Sequence, residues 1–556
     1  MLSTYQYPKY TYHPPQEVHT GTVTRHPVVV VGAGPVGLAA AIDLAQQGVP
    51  VVLLDDDDTV SLGSRGVCYA KRALEILDRL GVGDDCVRKG VSWNVGRTFF
   101  REEEVYSFNL LPQPDHRRPG MINLQQYYLE EYLVRRAQSL PSLDLRFRNK
   151  VLALQTHGES ATLQVETPDG VYALEADWLI VADGARSSIR RMMGLDAEGK
   201  VFMDRFLIAD VVMKADFPAE RWFWFDPPFH PGQSVLLHHQ ADNVWRIDFQ
   251  LGWDADPEEE KRPEKVIPRI KAMLGEEHEF ELEWVSVYTF QCRRMKQFRH
   301  GNVLFVGDAA HQVSPFGARG ANSGVQDTDN LIWKLKLVLE GKAPERLLDT
   351  YCAERTYAAD ENLLNSTRST DFITPKTKTS LAFRNAVLDL ARQYPFARAL
   401  VNSGRLSVPA FLEASPLNTP DSASFSSEMV PGAPCDDSPM RAQVDHFWLL
   451  DRLGNKFQLL VYVENPMDVP QATALQGLIA GPIPVDVILV SPTGGRSLHG
   501  LKVFEDYTGR FAERYDARPG SAWLIRPDQH IAGRWRTPDV QLVREALARA
   551  TCNLEE

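Results

Sequence analysis

The chain's 556 residues are too many for one ordinary hydrophobic core, so two or three domains are expected. With 44% hydrophobic and 24% charged residues it is globular, and a formal charge of −13 excludes the basic surface that nucleic acid or an anionic membrane requires. Its six cysteines, Cys68, Cys86, Cys292, Cys352, Cys435 and Cys552, show neither CxxC nor metal-ligand spacing, so no metal is expected and the thiols fit a reducing, cytoplasmic compartment.

Residues 1–27 read as an N-terminal extension, rich in Tyr, His, Pro and Thr and without the apolar core of a signal peptide. No apolar run is long enough to span a bilayer. Order is expected to begin at Val28, because Val28–Val31 is continuously apolar and β-branched, as a buried parallel strand requires. Gly32-Ala33-Gly34-Pro35-Val36-Gly37 follows, leading into a helix from Pro35 to Gln47 that Gly48 closes. A second buried strand, Val51–Leu54, completes a βαβ start. In this GxGxxG, Gly32 allows the tight turn, Gly34 lets a pyrophosphate approach the backbone, and Gly37 lets the helix pack on the strand. Phosphate charge would lie at the positive end of the helix that Pro35 opens. Asp55, about twenty residues on, stands where a carboxylate accepts both ribose hydroxyls.

From Val151 to Ala182 the pattern predicts strands Thr162–Glu166, Val171–Leu174 and Trp178–Val181. Residues 202–292 read as largely β, with strands Arg221–Phe225, Ser234–His238 and Val244–Leu251 and a short helix, Val266–Leu274. Strand Asn302–Val306 opens a second glycine-rich turn, and a long helix, Ser323–Glu340, comes after it. The Ser-, Pro- and Asp-rich stretch 412–440 reads as a linker. Past it come strand Phe457–Val463, a helical stretch, strands Val485–Val490 and Ala522–Ile525, and a last helix, Pro538–Thr551. There is no internal repeat.

Residues 179–190, LIVADGARSSIR, resemble the DG motif of the class A flavoprotein aromatic hydroxylases. Residues 301–329, GNVLFVGDAAHQVSPFGARGANSGVQDTD, are similar to that family's GD motif with its loop and helix. With the GxGxxG, the motifs stand in the family's order across residues 28–400. The layout resembles that of hydroxyphenylpropionate, phenol and resorcinol hydroxylases. The fold this implies is α/β: a Rossmann-like FAD-binding domain with an inserted β-sheet substrate domain, plus a C-terminal thioredoxin-like α/β domain. The expected division is extension 1–27, FAD-binding domain 28–200, substrate domain 201–295, FAD-binding and helical region 296–411, linker 412–439 and thioredoxin-like domain 440–556. That last domain lacks a redox CxxC, so its implied role is structural or homodimer-forming.

The resemblance implies tightly bound, non-covalent FAD, with NADH or NADPH as a transient co-substrate and O₂ as oxidant. It assigns Gly307 and Asp308 to the flavin ribitol, and Pro315, Gly317, Gly320, Ala321 and Asn322 to the loop at the flavin's pyrimidine edge. The family's GGQG is here Gly317-Ala318-Arg319-Gly320, with Arg319 facing flavin, substrate or solvent. Asp183 and Gly184 would lie near the FAD pyrophosphate and the nicotinamide path. Arg190 is a phosphate partner or a helix-surface arginine. Arg65 matches an arginine that contacts FAD, and Gln125 lies in a stretch resembling one whose glutamine reaches the ribitol, unless Asn123 fills that role.

The implied chemistry is hydroxylation of a small phenolic ring through a flavin C4a-hydroperoxide, helped by a base near the phenol. Period two puts Arg246 and Asp248 on one face of their strand, and the resemblance sets Arg246 beside the flavin ring. His238, Tyr288 and Tyr69 are further candidates for the phenol. Trp222-Phe223-Trp224 superficially resembles the WxW of flavin halogenases, but Ser64-Arg65-Gly66-Val67 stands where their lysine context belongs. An aromatic strand packing a core or pocket wall is the simpler reading. Two alternatives are a flavin enzyme acting on a larger polycyclic or antibiotic-like substrate, and a flavin-binding protein without turnover.

Overall fold

Four consecutive valines, Val28–Val31, fill the buried half of the first strand, β1 (Thr24–Val31). The computed structural model describes residues 4–404, 406–469, 472–497, 499–537 and 539–554. Helix α1 (Pro35–Gln46) leads to β2 (Val51–Leu54), which pairs parallel with β1 from Val28↔Val51 to Val31↔Leu54. A short strand, β3 (Cys68–Ala70), runs into α2 (Lys71–Arg79) and pairs with β4 (Met121–Asn123). Beyond β5 (Leu143–Arg146), the two strands expected at Val171–Leu174 and Trp178–Val181 are one, β6 (Gly170–Val181). Its first half carries an antiparallel hairpin partner, Ala161–Thr167, and its second half lies parallel to β1.

The chain then builds a second sheet, mainly antiparallel, with the earlier strand Val95–Phe100 added parallel at one side. Its long strands β7 (Ala197–Val212) and β11 (Glu281–Met295) flank the shorter β8 (Arg221–Phe225), β9 (Ser234–His239) and β10 (Val244–Leu251) in sequence. In space the order runs β11-β7-β10-β9-β8. Return to the first sheet comes at β12 (Val303–Phe305), parallel to β6, followed by α3 (Gly320–Leu339) and α4 (Arg346–Ile373). The first sheet thus reads β12-β6-β1-β2-β5, a parallel core with its helices packed on it.

Register decides which residues of the middle sheet share a face. Arg221 pairs with His238, His238 with Arg246, Arg246 with Asp210, and Asp210 with Trp284. Directly paired residues point the same way, so these form one row toward the FAD-binding domain. The next row is Phe223, Leu236, Asp248 and Ile208; the one after holds Phe225, Ser234, Gln250, Phe206 and Tyr288. The opposite face carries Leu237, Trp245 and Ile247 against a helix, Pro263–Leu274. Trp222 and Trp224 pack there, away from the first row, so the aromatic-core reading holds for them.

Two expectations need correction. Order does not begin at Val28: a helical turn, Gln16–Thr20, precedes β1, and the segment before it is packed. Tyr5 stacks on Tyr127 at 4.2 Å, Tyr10 stacks on Phe147 at 4.5 Å, and the Thr4 amide donates to Glu283 at 2.9 Å. Tyrosines spaced among polar residues leave no periodic signal, yet each ring buries a large area. Nor is the stretch after Leu412 a free linker. Leu412, Leu417 and Ala433 are buried, Thr419 donates to Ala532 O at 2.7 Å, and Arg534 grips Asp421.

The C-terminal region runs β13 (Phe457–Tyr462), α5 (Ala472–Ile479), β14 (Val485–Ser491), α6 (Arg510–Tyr515), β15 (Ala522–Ile525), β16 (Ile531–Trp535) and α7 (Val540–Ala550). The order β14-β13-β15-β16 has its first pair parallel and the others antiparallel, with strand Lys502–Glu505 parallel on the outer side of β14, and it suits the thioredoxin-like unit that the sequence resembles. Pro538, where the last helix was expected to start, lies outside the described residues. Among the described residues, no helix is long and apolar enough to cross a membrane.

Candidate active site

The glycine turn after β1 is built for close approach. Gly32 has φ +103°, and a Cβ there would sit 2.5 Å from Ala182 O. A Cβ on Gly37 would lie 1.8 Å from Gly32 O, so α1 reaches the strand only with glycine at that point. At Gly34 a Cβ would meet no protein atom within 4 Å. The head of α1 has no side-chain cap, and its free N–H groups face that open space. Asp55 closes the turn by accepting from Ala33 N at 2.5 Å and Asp57 N at 2.9 Å, and burial pushes its carboxyl up to about 6.

The DG and GD segments meet beside this turn. Asp183 caps the next helical turn, accepting from Ser188 N at 2.8 Å and Ile189 N at 3.1 Å, while its Oδ1 is buried without a partner. Gly184, at φ +78°, also faces open space. Arg190 is buried, donating to Ala309 O at 2.6 Å and Ala185 O at 3.0 Å. It staples the two segments together, so the helix-surface reading fails, and both of these partners are backbone carbonyls.

Gly307, at φ +58°, turns the chain after β12, and Asp308 projects into the cleft with an exposed side chain and no hydrogen bond to its carboxylate. The turn is held from below by Asp327, which sequence reasoning passed over. Its carboxylate accepts from Gly307 N at 3.0 Å, His311 Nε2 at 2.6 Å and Arg355 Nε at 2.7 Å. Pro315–Gly317 forms a single turn, and Ala318 takes a left-handed conformation at φ +51°. Arg319 is buried, donating to Asn362 at 2.6 Å and Leu406 O at 3.1 Å, so it does not point to solvent. Gly320 and Ala321 open α3, and the Asn322 side chain ties β3 to it through Ala70 N at 2.8 Å and Cys68 O at 2.9 Å.

Of the two ribitol candidates, Asn123 has both ends of its amide engaged, its oxygen accepting from Trp93 and Cys68 and its nitrogen donating to His239 O. Gln125 donates to Ala241 O at 3.0 Å and keeps a buried, unpartnered Oε1. Arg65 is exposed, and its carbonyl accepts from Arg246 at 3.3 Å.

On the middle sheet, Arg246 is clamped by Asp210 at 2.7 and 2.8 Å and donates to Ser64 O. It thereby fixes the Ser64–Arg65 loop over the sheet. Asp248, one row on, is buried with an unpartnered Oδ1, and burial pushes its carboxyl up to about 7 against the pull of Arg246. His238 is held well below the usual imidazole range by burial, with Arg221 and Arg246 adding to it, so it is neutral. Its Nδ1 is unpartnered, and its Nε2 lies 4.0 Å from Cys68 Sγ.

Tyr288 shares this face among Phe206 and Phe290, its hydroxyl pushed well up by burial. Tyr69 belongs to the core of the FAD-binding domain, since alternation along β3 turns Cys68 toward His238 and Tyr69 away. Besides Cys68, the sequence reading missed Arg221, although its period-two spacing from Phe223 was the available signal. A groove of about 980 Å³ opens beside the GD loop between Ala70, Met121, Tyr106, Phe108, Val401 and Leu406.

A family model described as FAD binding domain matches residues 25–366. The chain is 25% identical over 527 residues to a 3-(3-hydroxy-phenyl)propionate/3-hydroxycinnamic acid hydroxylase of Mycolicibacterium smegmatis, covering 91% of this chain and 90% of that one. A Klebsiella pneumoniae protein of the same name is 29% identical over 373 residues, 66% of each chain. Among solved structures, p-nitrophenol 4-monooxygenase PnpA of Pseudomonas putida superposes with a TM-score of 0.61 at 27% identity, over 68% of this chain and 97% of that one. The flavin-dependent monooxygenase PieE, solved with FAD and substrate, superposes with a TM-score of 0.79 at 23% identity, over 95% and 99%.

Proposed function

The chain belongs to the FAD binding domain family, and from that premise we propose that it is a flavin-dependent monooxygenase that hydroxylates a phenolic ring with NADH or NADPH and O₂. The observation that carries this reading is the pairing of two half-sites across one cleft. On one side is a nucleotide cradle, and on the other a sheet face that holds the buried Asp248 carboxyl with an unpartnered oxygen.

The residues present fit FAD. Space lies open at Gly34 and Gly184, Asp183 and Gln125 hold buried polar atoms without partners, and the Asp308 carboxylate is free. When bound, FAD supplies the hydride acceptor and the site of oxygen activation. The head of α1 takes the diphosphate, and Asp55 takes a ribose. Asp308 and Gln125 hold ribitol hydroxyls. Backbone N–H groups from Gly317 to Asn322, with the N-terminus of α3 behind them, favour negative charge at the pyrimidine edge.

Asp248, with its carboxyl near 7, is placed to take the phenolic proton, and neutral His238 offers a second acceptor in its unpartnered Nδ1. Phe206, Phe316 and Leu236 wall the chamber against water. The names of the hydroxyphenylpropionate and nitrophenol enzymes support a small phenol. The six unpaired thiols support a reducing, cytoplasmic location.

The test is NADH and NADPH oxidation by the purified yellow protein against a panel of phenols, with product mass recorded. A phenol that accelerates oxidation and gains one oxygen is the expected result. Should no phenol do so, the hydroxylase reading is lost to that of a flavin-binding protein without turnover. A second reading, a polycyclic substrate, draws on the groove of about 980 Å³, which is wide enough for several rings but is lined by neither His238 nor Asp248. Polycyclic phenols in the same panel separate the two.

A further inference from the structure

Arg246 and Arg221 sit in one row of the middle sheet, separated by His238, and both are buried. Only one has a counter-ion. Arg246 has Asp210 at 2.7 Å, whereas among the described residues no carboxylate lies within 4.0 Å of the Arg221 guanidinium. Arg221 is 1% exposed; its Nη2 donates to Ser403 O at 2.6 Å, and its Nη1 is buried with no partner at all.

The groups around it do not neutralise it. Cys68, Tyr106, Asp248 and the neutral His238 are the ionisable side chains around it. Burial pushes the Cys68 thiol up to about 12, so it is uncharged, and Asp248 is only partly ionised at neutral pH. Even with burial pulling Arg221 down to about 10, it remains a cation. A buried, uncompensated charge is strongly unfavourable and is retained where something else supplies the counter-charge.

Position says what that is. A Cβ on Gly404 would lie 3.2 Å from Arg221 Nη2 and 1.6 Å from Phe316 O, so the guanidinium stands next to the loop assigned to the flavin edge. On its sheet it neighbours His238, whose Nε2 lies 4.0 Å from Cys68 Sγ. We propose that Arg221 is the anion-recognition residue of this chamber, pairing with a negatively charged oxygen of the aromatic substrate, either a carboxylate arm or the phenolate itself. The inference rests on the aromatic-substrate reading above, and it narrows the substrate to one that presents an oxyanion there. The planar fork of the guanidinium, with one nitrogen already anchored, leaves Nη1 to donate to that oxygen.

Ligand binding to the FAD-loaded protein, read from the flavin spectrum, tests it with three probes. They are 3-phenylpropionate (carboxylate, no phenol), 4-nitrophenol (phenol, no carboxylate, coloured as its anion) and 3-phenylpropanamide (neither). At least one anionic probe is expected to bind roughly tenfold or more tightly than the amide. Arg221→Met should abolish that advantage with amide affinity and FAD content unchanged, and Arg221→Lys should restore part of it. Preference for 3-phenylpropionate assigns the carboxylate; 4-nitrophenol held in its coloured form in acidic buffer assigns the phenolate.

Equal binding of all three by the unmodified protein, or a preference that survives Arg221→Met, overturns the proposal. The unmodified protein decides alone if the methionine variant does not fold. Phenol turnover without anion preference removes the Arg221 site and leaves the hydroxylase reading intact. Anion preference lost in Arg221→Met, with no phenol hydroxylated, keeps the site and removes that reading.

Discussion

Asp308 and Asp248 are both carboxylates of the cleft, and their surroundings give them different roles. Asp308 opens onto the cleft, and among the described residues nothing donates to its carboxylate, which leaves it free for a ligand. Asp308→Ala is expected to weaken FAD binding roughly 10- to 100-fold, the worth of charge-assisted hydrogen bonds to hydroxyls. The ratio of flavin to protein absorbance after gel filtration measures it, and full occupancy would remove Asp308 from the site. Asp248 instead is enclosed, and its carboxyl rises from 3.8 to about 7. Its ionised fraction therefore grows as pH climbs through 7, and kcat/KM should climb with it. Asp248→Asn should flatten that limb of the profile. The linked stability has the opposite sign: the folded state binds this proton more tightly, so the carboxyl's contribution weakens as pH rises from 3.8 to about 7 and is constant above. A pH profile identical in the variant would place the proton acceptor elsewhere, with His238 next.

The element that the sequence announced most clearly, the turn between β1 and α1, contains two glycines with separable tasks. Gly37 serves packing, with protein atoms where a Cβ would go, whereas Gly34 has open space there and is the glycine proposed to serve the ligand. Gly37→Ala is therefore expected to lower the melting temperature of the flavin-free protein, through overpacking of about 1–3 kcal/mol. Gly34→Ala should leave that melting temperature unchanged and still lose FAD affinity. Equal melting losses in both variants would count against this division. Strand β6 shows why element boundaries blur in sequence. Glu175 and Asp177 interrupt its apolar run, so it reads as two strands, although both acids reach the surface and ion-pair with Arg25. Helix α3 starts three residues earlier than its periodicity suggested, because Gly320, Ala321 and Asn322 carry no apolar stripe.

At the scale of the whole molecule, a buried ionic network joins the C-terminal region to the helices behind the flavin loop. Arg526, fully buried, binds Glu354 of α4 at 2.6 and 3.0 Å and Asp528, while Lys334 of α3 reaches the same Glu354 at 2.7 Å. Arg72 of α2 completes it through Asp329, Asp528 O and Gln529. Arg526→Met should destabilise the protein by about 3–5 kcal/mol, since among the described residues Glu354 keeps only Lys334 and Asp528 only His530 in place of the arginine they share. Denaturant unfolding measures this, and a change under about 1 kcal/mol would mean that water or a rearranged Lys334 replaces the arginine. The sequence by itself determined the turns of the proposed cofactor side: Gly32 to Gly37, Asp55, Asp183 and Asp308 stand at strand ends, and local turns are written in consecutive residues. It also set the period-two face that holds Arg246 and Asp248. Only the tertiary structure decided that Arg190 staples two segments, that Tyr69 turns into a core, that Asp327 supports the GD turn, and that Arg221 lacks a counter-ion. Each of those facts depends on partners from other elements of the chain or on a register between strands, and neither is encoded in spacing along one segment.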